Sequence, residues 1–122
     1  MAVNILGTSD DATKAIAGAL QSYADTHPAA EVDVYRYSPV SVRARVIDPD
    51  FRGKSRSERH RTVWPLLYQL DEDNLSELTM LLLLPPDEKE VSDVNRDFET
   101  GQYAKAYSLA LQSSQIKNGA AP

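Results

Sequence analysis

The greatest concentration of side chains able to bind an anion lies in the stretch FRGKSRSERHRTVWPLL, residues 51–67. From Arg52 to Arg61 it contains five Lys or Arg residues and His60, although the whole chain has a formal net charge of −5 at pH 7. A glycine turn that runs into a capped helix offers backbone amides and a positive dipole end to phosphates and carboxylates. The alternative reading is a solvated, basic helix start. The pattern favours an anion-binding or partner-binding site, formed by Arg52, Gly53, Lys54 and Arg56.

The charge of the chain is divided along its length. Residues 36–61 carry eight basic against three acidic side chains, a net charge of +5, whereas residues 1–35 carry −4 and residues 62–122 carry −6. A basic segment inside an acidic chain favours a local anion site over non-specific coating of nucleic acid.

The triplet Gly53-Lys54-Ser55 matches the end of a nucleotide-binding loop, G-x-x-x-x-G-K-[ST], but the first glycine of that motif is replaced by Asp48. A KH domain that binds nucleic acid uses G-x-x-G, and positions 50 and 56 are not glycine. Nucleotide hydrolysis is therefore not expected, and a weak phosphate contact stays open.

The chain contains two histidines and no cysteine, and neither histidine belongs to a metal-binding or nucleophile–base motif. His60 is a candidate ligand or proton carrier, but its helical spacing with Val63 and Leu67 favours a packed side chain. His27, just before a proline, is expected to pair with the C-terminal end of a helix. The sequence predicts no enzyme activity, no metal and no cofactor.

Two segments alternate apolar and polar residues, EVDVYRY at 31–37 and SVRARVI at 41–47. A three-residue loop at residues 38–40 predicts a hairpin in which Val34 lies beside Ala44 on the core face. The same register places Asp33 beside Arg45 and Tyr35 beside Arg43 on the opposite face. Tyr35, Tyr37, Arg43 and Arg45 on that face could stack bases or bind an acidic partner, or they could simply stabilise the sheet as cross-strand pairs. Both readings stay open.

The remaining elements follow from caps and breakers. Residues 1–9 are expected to form a flexible tail, and Ser9 or Asp10 should cap a helix that ends at His27. The pattern Ser55-Arg56-Ser57-Glu58 predicts a capping box, with Arg56 and Arg61 facing solvent and His60 facing inward. Pro65 is expected to kink or break that helix, and residues 71–74 to form a polar loop.

The apolar run at residues 78–84 predicts a central strand buried on both faces. Pro86 with two following acids predicts a helix start, and the apolar stripe of that helix should be Val91, Val94 and Phe98. A further helix is expected after Gly101. The order α-β-β-α-β-α(-α) predicts an α+β fold with a three-stranded sheet.

The central stretch resembles the BolA family. The family pattern F-x-G-K-S followed by R-H-R-x-V is matched by Phe51, Gly53, Lys54, Ser55, Arg59, His60, Arg61 and Val63. The strand at 78–84 and the following Pro86-Asp87-Glu88 are also similar to the third BolA strand and its helix start. The resemblance covers about residues 11–98, and it implies a fold like a type II KH domain, with helices on one face of a mixed three-stranded sheet. Domain bounds of 10–98, with a C-terminal helical extension at 99–122, follow from it.

BolA proteins share an iron–sulfur cluster with a monothiol glutaredoxin, so the resemblance implies that class of partner. Ser76 stands where the family carries a histidine ligand, and Tyr37, Ser38 and Pro39 occupy a hairpin loop that often offers His or Cys. Serine is a poor ligand for iron beside thiolate and imidazole, so the chain is expected to lack its own cluster ligands.

The sequence therefore predicts a non-enzymatic, BolA-like accessory or regulatory module that binds a protein partner. The alternative is a KH-like domain that binds nucleic acid through the basic segment 36–61. No apolar run is long enough to span a membrane, and a cytoplasmic location is expected.

Overall fold

The computed structural model describes residues 2–101, in which four strands form one mixed sheet. The strands lie side by side in chain order, with β1 and β2 parallel, β2 and β3 antiparallel, and β3 and β4 parallel. The α+β class is confirmed, but the sheet has four strands and not three. Their bounds are Ala2–Leu6, Glu31–Ser38, Ser41–Ile47 and Leu78–Leu84.

The additional strand, β1, lies in the segment that was expected to be a flexible tail. Its backbone pairs with the first five residues of β2, and Val3 and Ile5 pack against the core. Asn4 points away from that core and donates a hydrogen bond from Nδ2 to Asp33 Oδ1 at 3.1 Å. The apolar–polar alternation of AVNIL was the available signal, but a five-residue strand depends on the partner strand beside it for stability.

The first helix, α1, spans Asp11–Thr26 and begins as expected at Asp10. A capping box joins Asp10 and Thr13, and the buried face carries Ile16, Leu20 and Tyr23. The helix ends at His27, whose backbone N–H donates to Ala24 O. Burial of that stripe against the sheet, and not helix propensity alone, stabilises α1.

The hairpin of β2 and β3 has the predicted register, with Val34 opposite Ala44 and Asp33 opposite Arg45. Ser38 pairs with Ser41, so the connecting loop has two residues and not three. The register shifts between Arg36 and Ser38, which absorbs the extra residue in β2.

The second helix, α2, spans Arg56–Leu67 and is preceded by a 3₁₀ turn at Pro49–Phe51. Ser55 and Glu58 form the predicted capping box. Pro65 lies inside the helix, which continues to Leu67, so the predicted break is absent. The predicted polar loop at 71–74 is largely helical, because Asp71 caps a short helix, α3, at Glu72–Ser76.

The chain beyond β4 differs from the predicted continuous helix. Only a 3₁₀ turn forms at Pro86–Glu88, and a helix then occupies residues 93–101 up to the last described residue. Phe98 is fully buried, whereas Val94 is exposed and Val91 is 76% exposed, so the predicted stripe is wrong at two of its three positions. The helix predicted after Gly101 lies outside the described residues.

Helices cover both faces of the sheet, and not one face as expected. On one face α1 and α2 enclose the larger core, which includes Val34, Ala44, Val46, Val63 and Leu83. On the other face Phe98 of the helix 93–101 packs with Tyr35, Leu82 and Leu84. Successive strand residues point to opposite faces, so β4 contributes to both clusters and is buried on both sides at its C-terminal end, as predicted. Its predicted central position is wrong, because β4 lies last in the strand order, at the edge of the described sheet.

Candidate functional site

The sheet face that carries Tyr35, Arg43 and Arg45 is covered by the helix 93–101. Tyr35 is 2% exposed, and its hydroxyl donates to the Phe98 carbonyl at 2.7 Å. Arg45 is 6% exposed and bonds to Asp33 Oδ2 at 2.8 Å and to Glu99 Oε2 at 3.0 Å. These side chains therefore act as the cross-strand and interlayer contacts of the fold, and this face is closed to bases or to a partner.

Arg43 completes the same closed layer. Its guanidinium carbon lies 3.6 Å from the centre of the Tyr37 ring, and its Nη1 lies 3.7 Å from Asp97 Oδ2. Burial raises the pKa of Tyr35, while the hydrogen bond from Arg43 acts in the opposite direction. The sequence did not predict this cover, because a helix that is distant in the chain leaves no periodic signal in the strands that it packs against.

The five Lys and Arg residues at the start of α2 divide into two groups. Arg59 is 8% exposed and donates to Leu83 O at 3.0 Å and to Glu88 Oε2 at 2.9 Å. Arg52 forms an exposed pair with Asp87 at 2.9 Å. These two arginines connect the start of α2 to the end of β4, and their charge is already balanced.

The other three cations, Lys54, Arg56 and Arg61, are exposed, and none forms an ion pair with another residue in the range 2–101. We call them the basic cap patch. They surround the first turn of α2, whose dipole is positive at this end. The Glu58 carboxylate accepts from Ser55 N at 2.9 Å, and its pKa is lowered by the bonds with Ser55 and then by the charges of Arg61 and Lys54. Gly53 has φ +79°, so the turn before the patch uses the left-handed region that favours glycine.

His60 lies at the edge of the patch. It was predicted to face inward, but Arg59 occupies the inward position instead. His60 is half-buried, and Trp64 donates a hydrogen bond from Nε1 to His60 Nδ1 at 2.8 Å. Burial, followed by the charge of Arg56, lowers the pKa of His60. The neutral ring that accepts at Nδ1 must carry its proton on Nε2, so it presents a donor to a ligand.

A cleft of about 610 Å³ opens beside the patch, between the start of α2, strand β4 and the segment 88–94. Its walls are apolar along β4 and at two exposed valines, and basic along α2. We call this depression the β4 cleft. It is lined by Arg56, Arg59, His60, Leu81, Leu82, Leu83, Leu84, Glu88, Val91, Ser92 and Val94.

Within the described residues, the cleft follows the edge of the sheet that no strand covers, which we call the free edge. Strand β4 is last in the strand order, and four consecutive residues, 81–84, line the cleft although their side chains alternate between faces. Leu84 O accepts from Asp48 N and so faces the β3 side. Because backbone groups alternate along a strand, the N–H and C=O of Leu81 and Leu83 face the free edge. One of these groups, Leu83 O, already accepts a hydrogen bond from Arg59.

The outer face of α2 carries a second depression of about 410 Å³. Trp64 lies between His60 and Tyr68, and the Trp64 and Tyr68 ring centres are 5.6 Å apart. Arg61 borders the same surface. Sequence reasoning missed this strip, although aromatic residues at i, i+4 and i+8 were its signal.

A third group, His27, Asp48 and Asp50, holds potential metal-ligand atoms within 4.8 Å of one another. Two of these residues, Asp48 and His27, also have structural roles. Asp48 caps the 3₁₀ turn and accepts from the Tyr23 hydroxyl at 2.5 Å, and burial followed by this bond raises the pKa of Tyr23. His27 Nδ1 lies 2.9 Å from Tyr23 O at the end of α1, which is the position predicted for it. Nothing beyond their proximity indicates a cation here.

Comparison with known proteins adds no family and no neighbour. No protein family, curated protein or solved structure matches this chain. The resemblance to BolA therefore stays a prediction. Within residues 2–101 no helix is both long and apolar enough to cross a membrane. The function must be argued from the basic cap patch and the β4 cleft.

Proposed function

We propose that this protein is a non-catalytic binding module that recognises an acidic segment of a partner protein at the basic cap patch. One observation carries the proposal. Of the cations that the sequence concentrates around α2, Arg52 and Arg59 are paired with Asp87 and Glu88. The other three, Lys54, Arg56 and Arg61, have no ion-pair partner in the range 2–101.

The electrostatics of the helix start favour such a partner. Lys54, Arg56 and Arg61 lie beside the positive end of a helix dipole, and the Glu58 carboxylate among them is already bonded to Ser55 N. The patch keeps a net positive charge, so a carboxylate of a partner is favourable there. The chain as a whole carries −5, so a long polyanion is repelled beyond the patch while a short acidic segment is not. The patch therefore fits a local anionic contact.

The same region has the residue types that dominate protein interfaces. Trp, Tyr and Arg side chains supply most of the binding energy at hot spots. Trp64, Tyr68 and Arg61 stand together on the outer face of α2, and Tyr68 is 70% exposed. His60 has no carboxylate partner in the described chain; its Nδ1 bonds to Trp64, which suits a binding surface better than a general base.

The BolA-like reading supplies a first partner to test, a monothiol glutaredoxin. Of the positions where the family offers cluster ligands, Ser76 uses its hydroxyl to donate to Asp73 O at 2.9 Å at the end of α3. Any association is therefore expected to occur through side-chain contacts, and not through a cluster ligated by this chain. Titration with the glutaredoxin, followed by visible absorption, tests that expectation.

A selection of random linear peptides displayed against the full chain tests the proposal without assuming a partner. Selected peptides should be enriched in Asp and Glu, and their affinity should fall with rising salt. Arg56→Glu should weaken binding by about tenfold or more, because it replaces an attraction with a repulsion. Lys14→Glu, the same change of charge on α1, is the matched control and should leave the affinity unchanged. Peptides without acidic residues, or equal effects of the two variants, would refute the proposal.

Nucleic-acid binding is the second candidate, and the outer face of α2 favours it. Trp64 and Tyr68 beside Arg61 could stack unpaired bases, a role that the covered Tyr35 and Arg45 face cannot fill in this structure. Titration with single-stranded and duplex oligonucleotides at two salt concentrations tests it. Binding through phosphates must weaken steeply with salt, and Trp64→Ala should reduce the affinity for single strands. Absence of binding at low salt removes this candidate.

A further inference from the structure

We infer that the acidic partner segment binds as an extra β-strand along the free edge of β4, inside the β4 cleft. The inference rests on the proposed function and adds the conformation and the chemistry of the bound segment. The segment is extended, places apolar side chains against Leu81 and Val91, and carries a carboxylate that reaches Arg56.

The backbone of β4 supplies the first argument. The N–H and C=O of Leu81 and the N–H of Leu83 face the free edge, and none has a hydrogen-bond partner in the described part of the chain. An edge of this kind is a template for pairing with another extended chain. Leu83 O already accepts a hydrogen bond from Arg59, so an added strand can pair only with the part of β4 that precedes this carbonyl.

The size and lining of the cleft supply the second argument. Four residues of an extended strand span about 13 Å, and the cleft follows the four residues 81–84. Its wall opposite β4 carries Val91, which is 76% exposed, and Val94, which is 41% exposed. Apolar side chains left exposed beside an unpaired strand edge are covered when an added strand places its alternate residues between them.

Charge decides the occupant. A second copy of this chain would bind with two-fold symmetry and would bring its own Arg56 to the same seam. Like charges along one seam oppose that pairing. The acidic group in the cleft, Glu88, is already bonded to Arg59. The complementary occupant is therefore an apolar strand with a carboxylate at the Arg56 end.

Backbone methylation of a selected acidic peptide separates strand addition from side-chain binding. N-methyl groups on alternate residues block pairing in one register and leave every side chain and charge in place. We expect one methylated register to lose at least tenfold in affinity, and the other to retain it. Equal affinities of the two registers would overturn the inference. If Arg56→Glu still weakens the peptide in that case, the proposed function stands while strand addition fails.

Amide hydrogen exchange in the full chain gives a residue-specific signature. The Leu82 and Leu84 amides face β3 and should be protected in the free protein, whereas the Leu81 and Leu83 amides should become protected only in the complex. Unchanged exchange at Leu81 and Leu83 would overturn the inference.

Val91→Asp and Val40→Asp form a matched pair, because their side chains are 76% and 74% exposed and only Val91 lines the cleft. Val91→Asp should abolish peptide binding, and Val40→Asp should have no effect. A free protein that sediments as a dimer and becomes monomeric with Val91→Asp would identify a second copy as the occupant, and would overturn the assignment to an acidic partner.

Discussion

The cations on the covered face of the sheet and those of the basic cap patch differ in how their charge is balanced. Arg45 is buried, with Asp33 at 2.8 Å and Glu99 at 3.0 Å, and Arg43 is held between Tyr37 and Asp97. The patch residues Lys54, Arg56 and Arg61 are exposed, and no ion pair joins them to residues 2–101. Both groups lie in the basic segment 36–61 of the sequence.

The difference teaches which cations are available to a partner. A buried guanidinium needs a carboxylate in place of water, so its pairing is part of the fold. An exposed cation at a helix start keeps its water, and its binding capacity is unused. Pairing with a carboxylate, and not the density of basic residues, separates structural arginines from candidate binding residues in this molecule.

The largest expected effect is on the covered face. Arg45→Met leaves Asp33 buried without its cationic partner and should lower the free energy of unfolding by about 3–5 kcal/mol. Arg56→Met makes the same change at an exposed site and should lower it by less than about 0.5 kcal/mol. Urea unfolding of both variants checks this. Adding Asp33→Leu to Arg45→Met should recover most of the loss, and equal effects of the two single variants would contradict the comparison.

The next largest expected effect is at Gly101, where the helix 93–101 meets the covered face of the sheet. A Cβ at Gly101 would lie 2.6 Å from Arg43 Nη1 and 3.0 Å from the Tyr35 hydroxyl. The end of the Arg43 side chain can shift, but the Tyr35 hydroxyl is held by Phe98 O, so Gly101→Ala should destabilise by about 1 kcal/mol through overpacking. Gly18→Ala in α1 is the control, since its Cβ meets nothing within 4 Å, and it should stabilise by about 1 kcal/mol. Thermal unfolding measures both, and a stabilising Gly101→Ala would show that the helix 93–101 does not press on the sheet.

Substitutions at the cap of α2 test whether the patch residues contribute to the stability of the fold. The Ser55 hydroxyl accepts from Glu58 N at 3.2 Å, so Ser55→Ala should destabilise by about 1 kcal/mol. Arg56→Ala, the next residue, should be nearly silent for stability, because its side chain is exposed and unpaired in the described structure. Urea unfolding compares the two. Equal losses would mean that Arg56 stabilises the fold, and it would then belong with Arg45.

The smallest effect is a pH dependence at a paired cation of intermediate exposure. The hydrogen bond from Arg36 at 2.9 Å is the main reason that the pKa of Asp10 is lowered from 3.8 to about 2. A folded-state pKa below the unfolded value means that the pair stabilises the protein above about pH 4 and loses this contribution as pH falls toward 2. The pair is partly exposed, so the contribution should be no more than about 1 kcal/mol.

Asp10→Asn keeps a good N-cap acceptor and removes the charge. The stability difference between this variant and the natural chain should therefore be present at pH 6 and shrink by pH 2. A difference that stays constant over this range would contradict the role assigned to the Arg36 pair.

Local patterns determined much of the fold before any tertiary contact was considered. The cap at Asp10, the capping box of Ser55 and Glu58, and the pairing of Val34 with Ala44 all follow from residues a few positions apart. Hydrogen bonds within one turn, and strict alternation within a hairpin, leave little freedom for another arrangement. The position of the basic residues of the patch at a helix start was predictable for the same reason.

The sequence by itself determined which cations are present and where they lie in their helices and strands. Only the tertiary structure decided which of them are paired within the fold and which are left exposed. Arg59 and not His60 turns inward, because Leu83 O and Glu88 offer it partners from the end of β4. Tyr35 and Arg45 are closed off because Phe98 and Glu99 pack onto them from more than fifty positions away in the chain. The strand at 78–84 was predicted to be central, but among the described strands it pairs only with β3, so its outer edge became a candidate site. Each of these outcomes depends on contacts between distant segments, whose balance of burial and charge is decided when the whole core assembles.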